Sequence, residues 1–213
     1  MESFEELLRL AEVAHGHLCA GQVLGVRMAM LGCRRLGIDD PRGRDRKRLV
    51  TFIEIDRCAT DAIGVVTGCR LGKRALKFRD WGKMAATFAD LATGRAVRIV
   101  ALESSKQRAK ERYPEIENKN QQQMRAYREM DDGDLFSEQW VEVDLGPKEM
   151  PGYKGERIAC SACGEGINYD RFVEREGATL CLACAYPEQR YYRPTSGEAA
   201  PPAPADSSRC ECS

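Results

Sequence analysis

Two Cys-x-x-Cys pairs toward the C-terminal end constrain the possible fold of this chain more than any other sequence feature. They are Cys160 with Cys163 and Cys181 with Cys184. Each pair forms a knuckle that directs two thiolates at one point, and residues 164–180 are long enough for a hairpin that joins the knuckles. Four thiolates are the ligand set of a closed, structural Zn²⁺ site. The spacing therefore predicts a zinc ribbon, with a rubredoxin-like iron site or a pair of disulfides as the alternatives.

The composition is that of an ordinary globular protein. Of 213 residues, 43% are hydrophobic and 31% are charged, and 33 basic residues balance 33 acidic ones. This zero net charge gives no global argument for a nucleic acid or a membrane as partner. No apolar stretch approaches the roughly 20 residues of a spanning helix, and the acidic start lacks the basic region of a signal peptide. We therefore expect a soluble, cytoplasmic protein whose ten cysteines are metal ligands or thiols rather than disulfides.

The spacing of apolar residues predicts an α+β fold. Ser3 and Glu6 form a capping box before a helix that ends near Ala14, and a second helix follows over residues 21–36. Gly25 and Gly32 would let this second helix pack closely against a neighbour. The other predicted elements are a strand at 49–55, a short helix from 57 to 67, a hairpin of 75–78 with 83–88, a strand at 96–101, a polar helix at 103–130 interrupted at Pro114, and a strand at 140–145.

Composition also predicts where the chain divides. Residues 1–146 form the α+β domain, and the prolines and glycine near 147–156 mark a linker before the zinc ribbon at 157–187. Residues 188–213 are predicted to be a disordered tail, because its Pro-, Ala- and Ser-rich run cannot bury enough surface to fold. Cys210 and Cys212 lie in that tail and are predicted to be free thiols.

Both histidines of the chain lie in one five-residue segment, which contains His15, His17 and Cys19. Imidazole and thiolate are standard ligands of Zn²⁺ and related metals, and Gly16 lets the backbone turn so that they can converge. The segment predicts His17 and Cys19 as ligands of a second metal, against the alternative that the cysteine is only a small buried side chain. Cys58, after the 49–55 strand, is a further candidate. Because both thiols lie near predicted helix starts, their pKa values are predicted to be lowered.

Three more residues lie close to these motifs in the sequence. Asp61 follows Cys58 by one helical turn, and Cys69 comes at the end of the same helix. Both are candidates for the second site. Cys33 lies on a helix face and is predicted to belong to the core.

Four motifs together carry a resemblance to a known family. They are HGHLCAGQVLGVRM at 15–28, RCATDAI at 57–63, TGCRLGK at 67–73 and DWGKMA at 80–85. In this order they resemble the signature of the FmdE family, which is named for a small subunit of formylmethanofuran dehydrogenase, over about residues 1–145. The cysteine module, from Cys163-Gly164-Glu165 to Cys181 through Ala185, is similar to the DksA/TraR-type zinc finger.

The resemblance implies an α+β core, with a mixed sheet flanked by helices, that often forms a dimer. It implies a metal at His17, Cys19 and Cys58, with His15 as a further candidate. The family usually has proline after the motif cysteine, where this chain has Ala20. The enzyme that names the family interconverts CO₂ and formylmethanofuran on a molybdenum or tungsten pterin and iron–sulfur clusters of other subunits. This chain has no ferredoxin-type cysteine run that would hold such clusters.

Two functional hypotheses from different classes follow. The first is a metal-binding accessory protein, a subunit, metal handler or assembly factor of molybdenum or tungsten enzymes, which is not catalytic alone. Its complex would be a formylmethanofuran dehydrogenase-type oxidoreductase. The second is a small metalloenzyme in which an open His/Cys site works with Asp61 or Glu54 as general base. Lys73 or Lys83 would then hold an anionic substrate. The expected cofactors are a structural zinc and a second ion, zinc or another transition metal, and the expected partners are a second copy of the chain and the subunits of molybdenum or tungsten enzymes.

A third hypothesis is a zinc-finger regulatory protein. Arg34, Arg35 and the basic loop at 42–48 form a local positive patch. No aromatic residues are interleaved with these cations, and the net charge is zero. We therefore expect neither a nucleic acid nor a membrane as partner.

Overall fold

Ser3 and Glu6 close the predicted capping box at the start of the first helix. In the computed structural model, the Glu6 backbone N–H donates to the Ser3 hydroxyl oxygen, and the Ser3 N–H donates to the Glu6 carboxylate at 2.9 Å. Helix α1 therefore begins at Phe4 and ends at His15, because Gly16 takes the left-handed conformation with a φ of 92°. The cap predicted from the sequence is confirmed.

The structure describes residues 1–193, which divide into two units. The larger unit is Met1–Lys154 and the smaller one begins at Gly155, a division that falls within the predicted 147–156 linker. The hydrophobic core belongs to the larger unit. Within the described residues, none of the helices combines the length and the apolar character that crossing a bilayer requires.

The larger unit is a five-stranded mixed sheet flanked by helices, so the α+β prediction is confirmed. Its helices are α1 Phe4–His15, α2 Ala20–Leu36, α3 Cys58–Thr67, α4 Ser104–Arg112, α5 Lys119–Glu129 and α6 Asp132–Leu135, with 3₁₀ helices at Leu71–Lys73 and Pro147–Glu149. Its strands are β1 Leu49–Ile53, β2 Leu76–Phe78, β3 Ala85–Asp90, β4 Ala96–Ala101 and β5 Phe136–Val141. Their order in the sheet is β2-β1-β3-β4-β5.

Helix α2 lies at the centre of this unit and packs against α1, α3, α5, β3 and β4. A Cβ on Gly25 would lie 2.5 Å from the Ala59 carbonyl oxygen of α3, and one on Gly32 would lie 2.3 Å from the Phe88 ring of β3. The close packing predicted at both glycines is confirmed. The approach of α2 to α3 also sets the distance between the starts of these helices, where the candidate ligands lie.

The predicted hairpin of 75–78 with 83–88 is wrong. Strand β1 lies between β2 and β3, parallel to the first and antiparallel to the second. The segment between β2 and β3 instead wraps across the end of β1, where the Trp81 and Lys83 backbone N–H groups both donate to the Glu54 carbonyl oxygen at 3.1 Å. Turn residues between two apolar runs do not tell which strand each run pairs with.

The last strand of the sheet lies earlier in the chain than predicted. Strand β5 is Phe136–Val141 rather than 140–145, and it pairs with β4 from Ala101↔Phe136 to Ala96↔Val141. It is an edge strand whose middle residues are exposed, so it lacks the apolar alternation of a half-buried strand. Ion pairing replaces apolar contact there, as the Arg35 guanidinium donates to both carboxylate oxygens of Glu138 at 2.5 and 2.8 Å.

The smaller unit is built from two short hairpins and one helical turn. Strands β6 Ile158–Ala159 and β7 Gly166–Ile167 pair antiparallel, as do β8 Phe172–Arg175 and β9 Ala178–Cys181. Gly164 and Gly177 turn the chain with φ values of 75° and 81°. Helix α7, Leu182–Ala185, follows β9 directly.

Ordered contacts of this unit continue past the predicted ribbon boundary at 187. Pro187–Gln189 forms a 3₁₀ helix, and the Arg190 guanidinium donates to the Ala183 carbonyl oxygen at 2.6 Å. The rest of the predicted tail, from residue 194 and including Cys210 and Cys212, lies outside the described residues.

Candidate metal centres

The four cysteines of the smaller unit converge on one point. Cys160 follows β6, Cys181 ends β9, and Cys163 and Cys184 are the second members of the two knuckles. Their Sγ atoms all lie within 4.8 Å of one another, and those of Cys163 and Cys181 are 4.0 Å apart. A tetrahedral ion with Zn–S bonds of about 2.3 Å fits among four thiols this close after small side-chain rotations.

Backbone and guanidinium donors face these thiols. The Cys181 N–H donates to Cys160 Sγ at 3.3 Å, and this bond, joined by one from the Cys163 N–H, lowers the pKa of Cys160 to about 6. The pKa of Cys184 is raised to about 12, and the neighbouring Cys181 thiol is the main cause. Arg190 Nη2 lies 3.5 Å from Cys184 Sγ. Donors of this kind stabilise thiolate ligands. The role of Arg190 was not predicted, because no pattern in the sequence connects this residue to the two Cys-x-x-Cys pairs.

The His-Cys segment forms a second group of possible ligands in the larger unit. His15 ends α1, Gly16 reverses the chain, and Cys19 is the residue that precedes α2. One donor atom from each of His15, His17 and Cys19 lies within 4.8 Å of the others. The two rings are tilted, with their centroids 4.6 Å apart. The structure therefore adds His15 to the pair that spacing predicted.

Asp61 fixes the orientation of the His15 ring. Asp61 Oδ2 lies 2.7 Å from His15 Nδ1, so Nδ1 carries the proton and Nε2 keeps its lone pair when the ring is neutral. His15 Nε2 is buried and has no hydrogen-bond partner among the described residues. A buried, unpartnered nitrogen beside a thiol and a second imidazole fits a metal ion, and a carboxylate on the far nitrogen is the usual outer partner of a histidine ligand.

Cys58 lies beside this group at the first position of α3. Gly21 lies between the two cysteines, because a Cβ there would be 3.0 Å from the Cys58 Cβ and 3.6 Å from the Cys19 Sγ. Cys58 is not part of the set whose donor atoms all lie within 4.8 Å. Burial, and then the Cys19 thiol, raise the pKa of Cys58, so the predicted lowering by the helix start is wrong for this thiol.

Gln22 positions Cys58, although it was not among the residues predicted from the sequence. Its side chain is fully buried on α2, and its amide N–H donates to the Cys58 carbonyl oxygen at 2.5 Å. This bond fastens the start of α3 to the first turn of α2, next to Cys19. A polar residue on the apolar face of a predicted helix is the signal that would have identified it, because buried amides need partners.

The other candidates lie away from this group. Cys69 is buried under β1, where its thiol contacts the Leu49 carbonyl oxygen at 3.4 Å, and burial raises its pKa. Cys33 is a fully buried core residue, as predicted. Glu54 accepts two hydrogen bonds from Arg98 at 2.7 and 2.6 Å, so its carboxylate is already engaged in an ion pair. Lys73 is exposed on the Leu71–Lys73 helix.

Two family models match successive parts of the chain. A sequence model of the family described as FmdE, molybdenum formylmethanofuran dehydrogenase operon, matches residues 14–137, which include the His-Cys segment, Cys58 and Asp61. A model of the prokaryotic DksA/TraR C4-type zinc finger matches residues 153–190. This match and the four-thiol cluster support a structural zinc at Cys160, Cys163, Cys181 and Cys184.

The proteins that the chain is similar to include a relative of known sequence and a solved structure. The first is a "Probable S-adenosyl-L-methionine-binding protein" of Archaeoglobus fulgidus, 30% identical over 197 residues. The match covers 84% of this chain and 52% of that protein, so the chain spans about half the length of its relative. The second is an FmdE-like protein of Syntrophus aciditrophicus, named for the tungsten formylmethanofuran dehydrogenase, with a TM-score of 0.61, 22% identity, and coverage of 89% of this chain and 95% of the other.

The solved structure shows that the fold is shared, and the family model covers more than half of the chain. The resemblance found in the four sequence motifs is therefore confirmed. The chain belongs to the FmdE family and carries a C4-type zinc finger after its FmdE domain.

Proposed function

We propose that this protein is a metal-handling accessory protein that binds an exchangeable transition-metal ion at His15, His17 and Cys19, with Cys58 as the adjoining thiol. The observation that carries the proposal is the His15 ring, held by Asp61 on one nitrogen and left buried without a partner on the other. A buried ring nitrogen without a partner is costly unless something binds it. Two imidazoles and one or two thiolates suit zinc and its neighbours among the transition metals.

The exposure of the site favours exchange over a permanent structural role. His15 and Cys19 are half-buried, whereas His17 is exposed on the turn between α1 and α2. A ligand on the solvent side can leave and return, which gives an ion a route in and out. The four-cysteine cluster also has one exposed ligand, Cys163, but its Cys160 is buried and all four of its ligands are thiols, the set of a closed structural site.

The more specific part of the proposal is that the chain assists a molybdenum or tungsten enzyme. The FmdE family is described by a molybdenum formylmethanofuran dehydrogenase operon, and the solved relative is named for the tungsten enzyme. We propose that the chain serves such an enzyme in the cytoplasm as subunit, metal handler or assembly factor, acts as a homodimer, and contacts its partner through the zinc finger. Purification of a tagged chain from its native cells, followed by molybdenum and tungsten analysis of what accompanies it, tests this part.

The metal site is tested by counting metal in variants that leave the zinc finger intact. His15→Ala and Cys19→Ser should each retain the finger zinc and lose the second ion, and cobalt-loaded wild type should show thiolate-to-cobalt charge transfer that both variants lack. Cys33→Ala is the matched control, because Cys33 is a buried thiol outside both groups. Equal metal content and equal cobalt spectra in wild type and both site variants would refute the proposal.

A small metalloenzyme is the second candidate, and one cavity favours it. Asp61 and Cys69 border a largely apolar cavity of about 440 Å³ whose wall also includes Leu71, Leu76 and Phe78. Such a cavity could hold an organic molecule beside the carboxylate that orients His15. Adding imidazole or azide to the cobalt-loaded protein distinguishes the candidates. A spectral shift at low concentration indicates an open coordination position, which catalysis needs and a closed carrier site lacks.

A further inference from the structure

A second cavity of the larger unit is lined by cations and has no carboxylate in its wall. It measures about 730 Å³. Its basic lining comes from the loop before β1 and from the segment after α3, and consists of Arg42, Arg46, Lys47, Arg70 and Lys73. Segments distant in sequence thus bring five positive side chains to one concavity, although the chain as a whole has a net charge of zero.

The two carboxylates in and next to the basic loop, Asp40 and Asp45, bind groups other than the cations of the cavity wall. Asp40 accepts the backbone N–H groups of Gly43 and Arg44 at 2.9 and 2.8 Å. Asp45 is buried, accepts the Asp40 N–H at 3.1 Å, and contacts Arg48 at 3.1 Å. These acids therefore shape the loop and hold Arg48, a cation outside the cavity wall, rather than neutralise the cations of the cavity.

Four of the five cations are left without an acidic partner. Glu2 pairs with Arg42. Within residues 1–193, no carboxylate lies within ion-pair distance of the other four, Arg46, Lys47, Arg70 and Lys73. Like charges that share a concave surface repel one another, and a bound anion would relieve that repulsion.

The remaining wall of the cavity is apolar and tightly built. Leu91 and Pro151 are half-buried in this wall, whereas Leu49 and Ala75 are buried in it. Gly68, with a φ of 68°, lets the Arg42 side chain lie against the backbone, because a Cβ there would come within 3.2 Å of Arg42 Cγ. The cavity therefore offers an apolar surface next to its positive rim.

We propose that this cavity binds a small phosphorylated molecule, with its phosphate groups among Arg46, Lys47, Arg70 and Lys73 and its organic body against the half-buried Leu91 and Pro151. Guanidinium groups bind phosphate oxygens in pairs, which suits Arg46 and Arg70. The cations surround a concavity rather than form a stripe, and no aromatic side chain lines it, so a nucleic-acid strand has neither a track nor a stacking surface there. This site is separate from the metal group of His15 and does not depend on the proposed metal function.

The test measures binding of adenosine diphosphate and of inorganic phosphate to the full chain by calorimetry. We expect one site per chain for the diphosphate, competition by inorganic phosphate, and weaker binding at higher salt. Arg46→Gln/Arg70→Gln should weaken binding by about tenfold for each guanidinium removed. Arg44→Gln is the matched control, because Arg44 belongs to the same loop but not to the cavity wall, and it should change affinity by less than about twofold.

Two further measurements keep the test decisive. Lys73→Gln, a change on an exposed side chain, provides a second cavity variant if the double variant folds poorly, as its melting curve would show. Zinc content is measured before and after titration, because phosphates also bind metal ions. Absence of binding at millimolar diphosphate, an equal loss in Arg44→Gln, or duplex DNA that binds more tightly than the diphosphate would each overturn the proposal.

Discussion

His15 Nδ1 and Asp61 Oδ2 lie 2.7 Å apart, and this contact joins the end of α1 to the first turn of α3. The side chain of Asp61 is 55% exposed, while that of His15 is only 17% exposed. The carboxylate therefore reaches inward from the surface and selects the tautomer of a ring whose other nitrogen is buried. Asp61 thus acts on the site through His15 rather than as a ligand of its own.

Removing the Asp61 carboxylate should weaken metal binding without abolishing it. Asp61→Ala leaves the His15 ring free to rotate and to change tautomer, so we expect cobalt affinity to fall by about 10- to 100-fold. Asp61→Asn keeps an acceptor for the Nδ1 proton, so its cobalt affinity should fall by less. Competition titration with a chromogenic chelator measures both. Asp56→Ala, which removes a nearby exposed acid, should bind cobalt like wild type, and identical affinities in all the proteins would contradict the assigned role.

The zinc-finger thiols should hold about one zinc per chain, separately from the second site. Cys160→Ser/Cys181→Ser removes two of the four ligands, so we expect loss of one equivalent of zinc and unfolding of the smaller unit. Met1–Lys154 contains the hydrophobic core and should retain its cooperative melting transition. Zinc analysis and thermal melting by circular dichroism follow the two effects. Ala162→Ser adds a hydroxyl within the same knuckle and should keep the zinc, and full zinc retention in the double variant would exclude the site.

Local patterns in the sequence predicted the helices well. The Ser3 and Glu6 capping box, the Gly16 stop and the break of the polar helix near Pro114 all depend on residues a few positions apart, and all are found. The same holds for the two cysteine knuckles, whose ligands come in pairs. Short-range chemistry determines these features, so the sequence alone suffices to identify them.

Features that depend on distant residues were predicted poorly. Strand β1 inserts between β2 and β3, and no local pattern specifies that pairing. The contact of His15 with Asp61 and the bond from Gln22 to Cys58 span 46 and 36 residues. His15, Asp61 and Cys58 were all predicted as candidates from the sequence, but the role of each emerges only when α1, α2 and α3 pack together.

Gly25 should be intolerant of a side chain because α2 and α3 touch there through their backbones. A Cβ at Gly25 would lie 2.5 Å from the Ala59 carbonyl oxygen and 2.8 Å from the Ala62 Cβ. We expect Gly25→Ala to lower the free energy of unfolding by about 2 kcal/mol, despite the higher helix propensity of alanine, and to weaken metal binding by moving Cys58 from Cys19. Urea denaturation and cobalt titration measure these effects. Gly133→Ala, in α6 with no atom within 4 Å of the new Cβ, should be neutral or slightly stabilising, and equal stability of both variants would contradict the packing argument.

Asp90 should give the larger unit part of its resistance to acid. Asp90 is buried at the end of β3, where it accepts hydrogen bonds from Arg48 at 2.7 and 3.2 Å and from the Ala92 N–H and Thr93 hydroxyl at 3.0 and 2.8 Å. Burial alone would raise the pKa of Asp90, but these bonds together outweigh burial and lower it. A carboxyl whose folded pKa lies below its unfolded value stabilises the fold above the unfolded pKa, and that stabilisation is lost as the pH falls through the folded pKa.

Replacing Asp90 with its amide should therefore change both the size and the pH dependence of stability. Asp90→Asn leaves the Arg48 guanidinium with Asp45 alone, so we expect the free energy of unfolding at pH 7 to fall by about 3 kcal/mol. The difference between wild type and variant should shrink as the pH falls below about 4, because the carboxyl takes up its proton in the unfolded chain before it does so in the folded one. Urea denaturation across this pH range measures the two curves. Asp134→Asn removes a carboxylate from an exposed pair with Arg108 and should cost less than about 1 kcal/mol at every pH. Curves for Asp90→Asn and wild type that stay parallel down to about pH 3 would show that the charge of Asp90 contributes nothing.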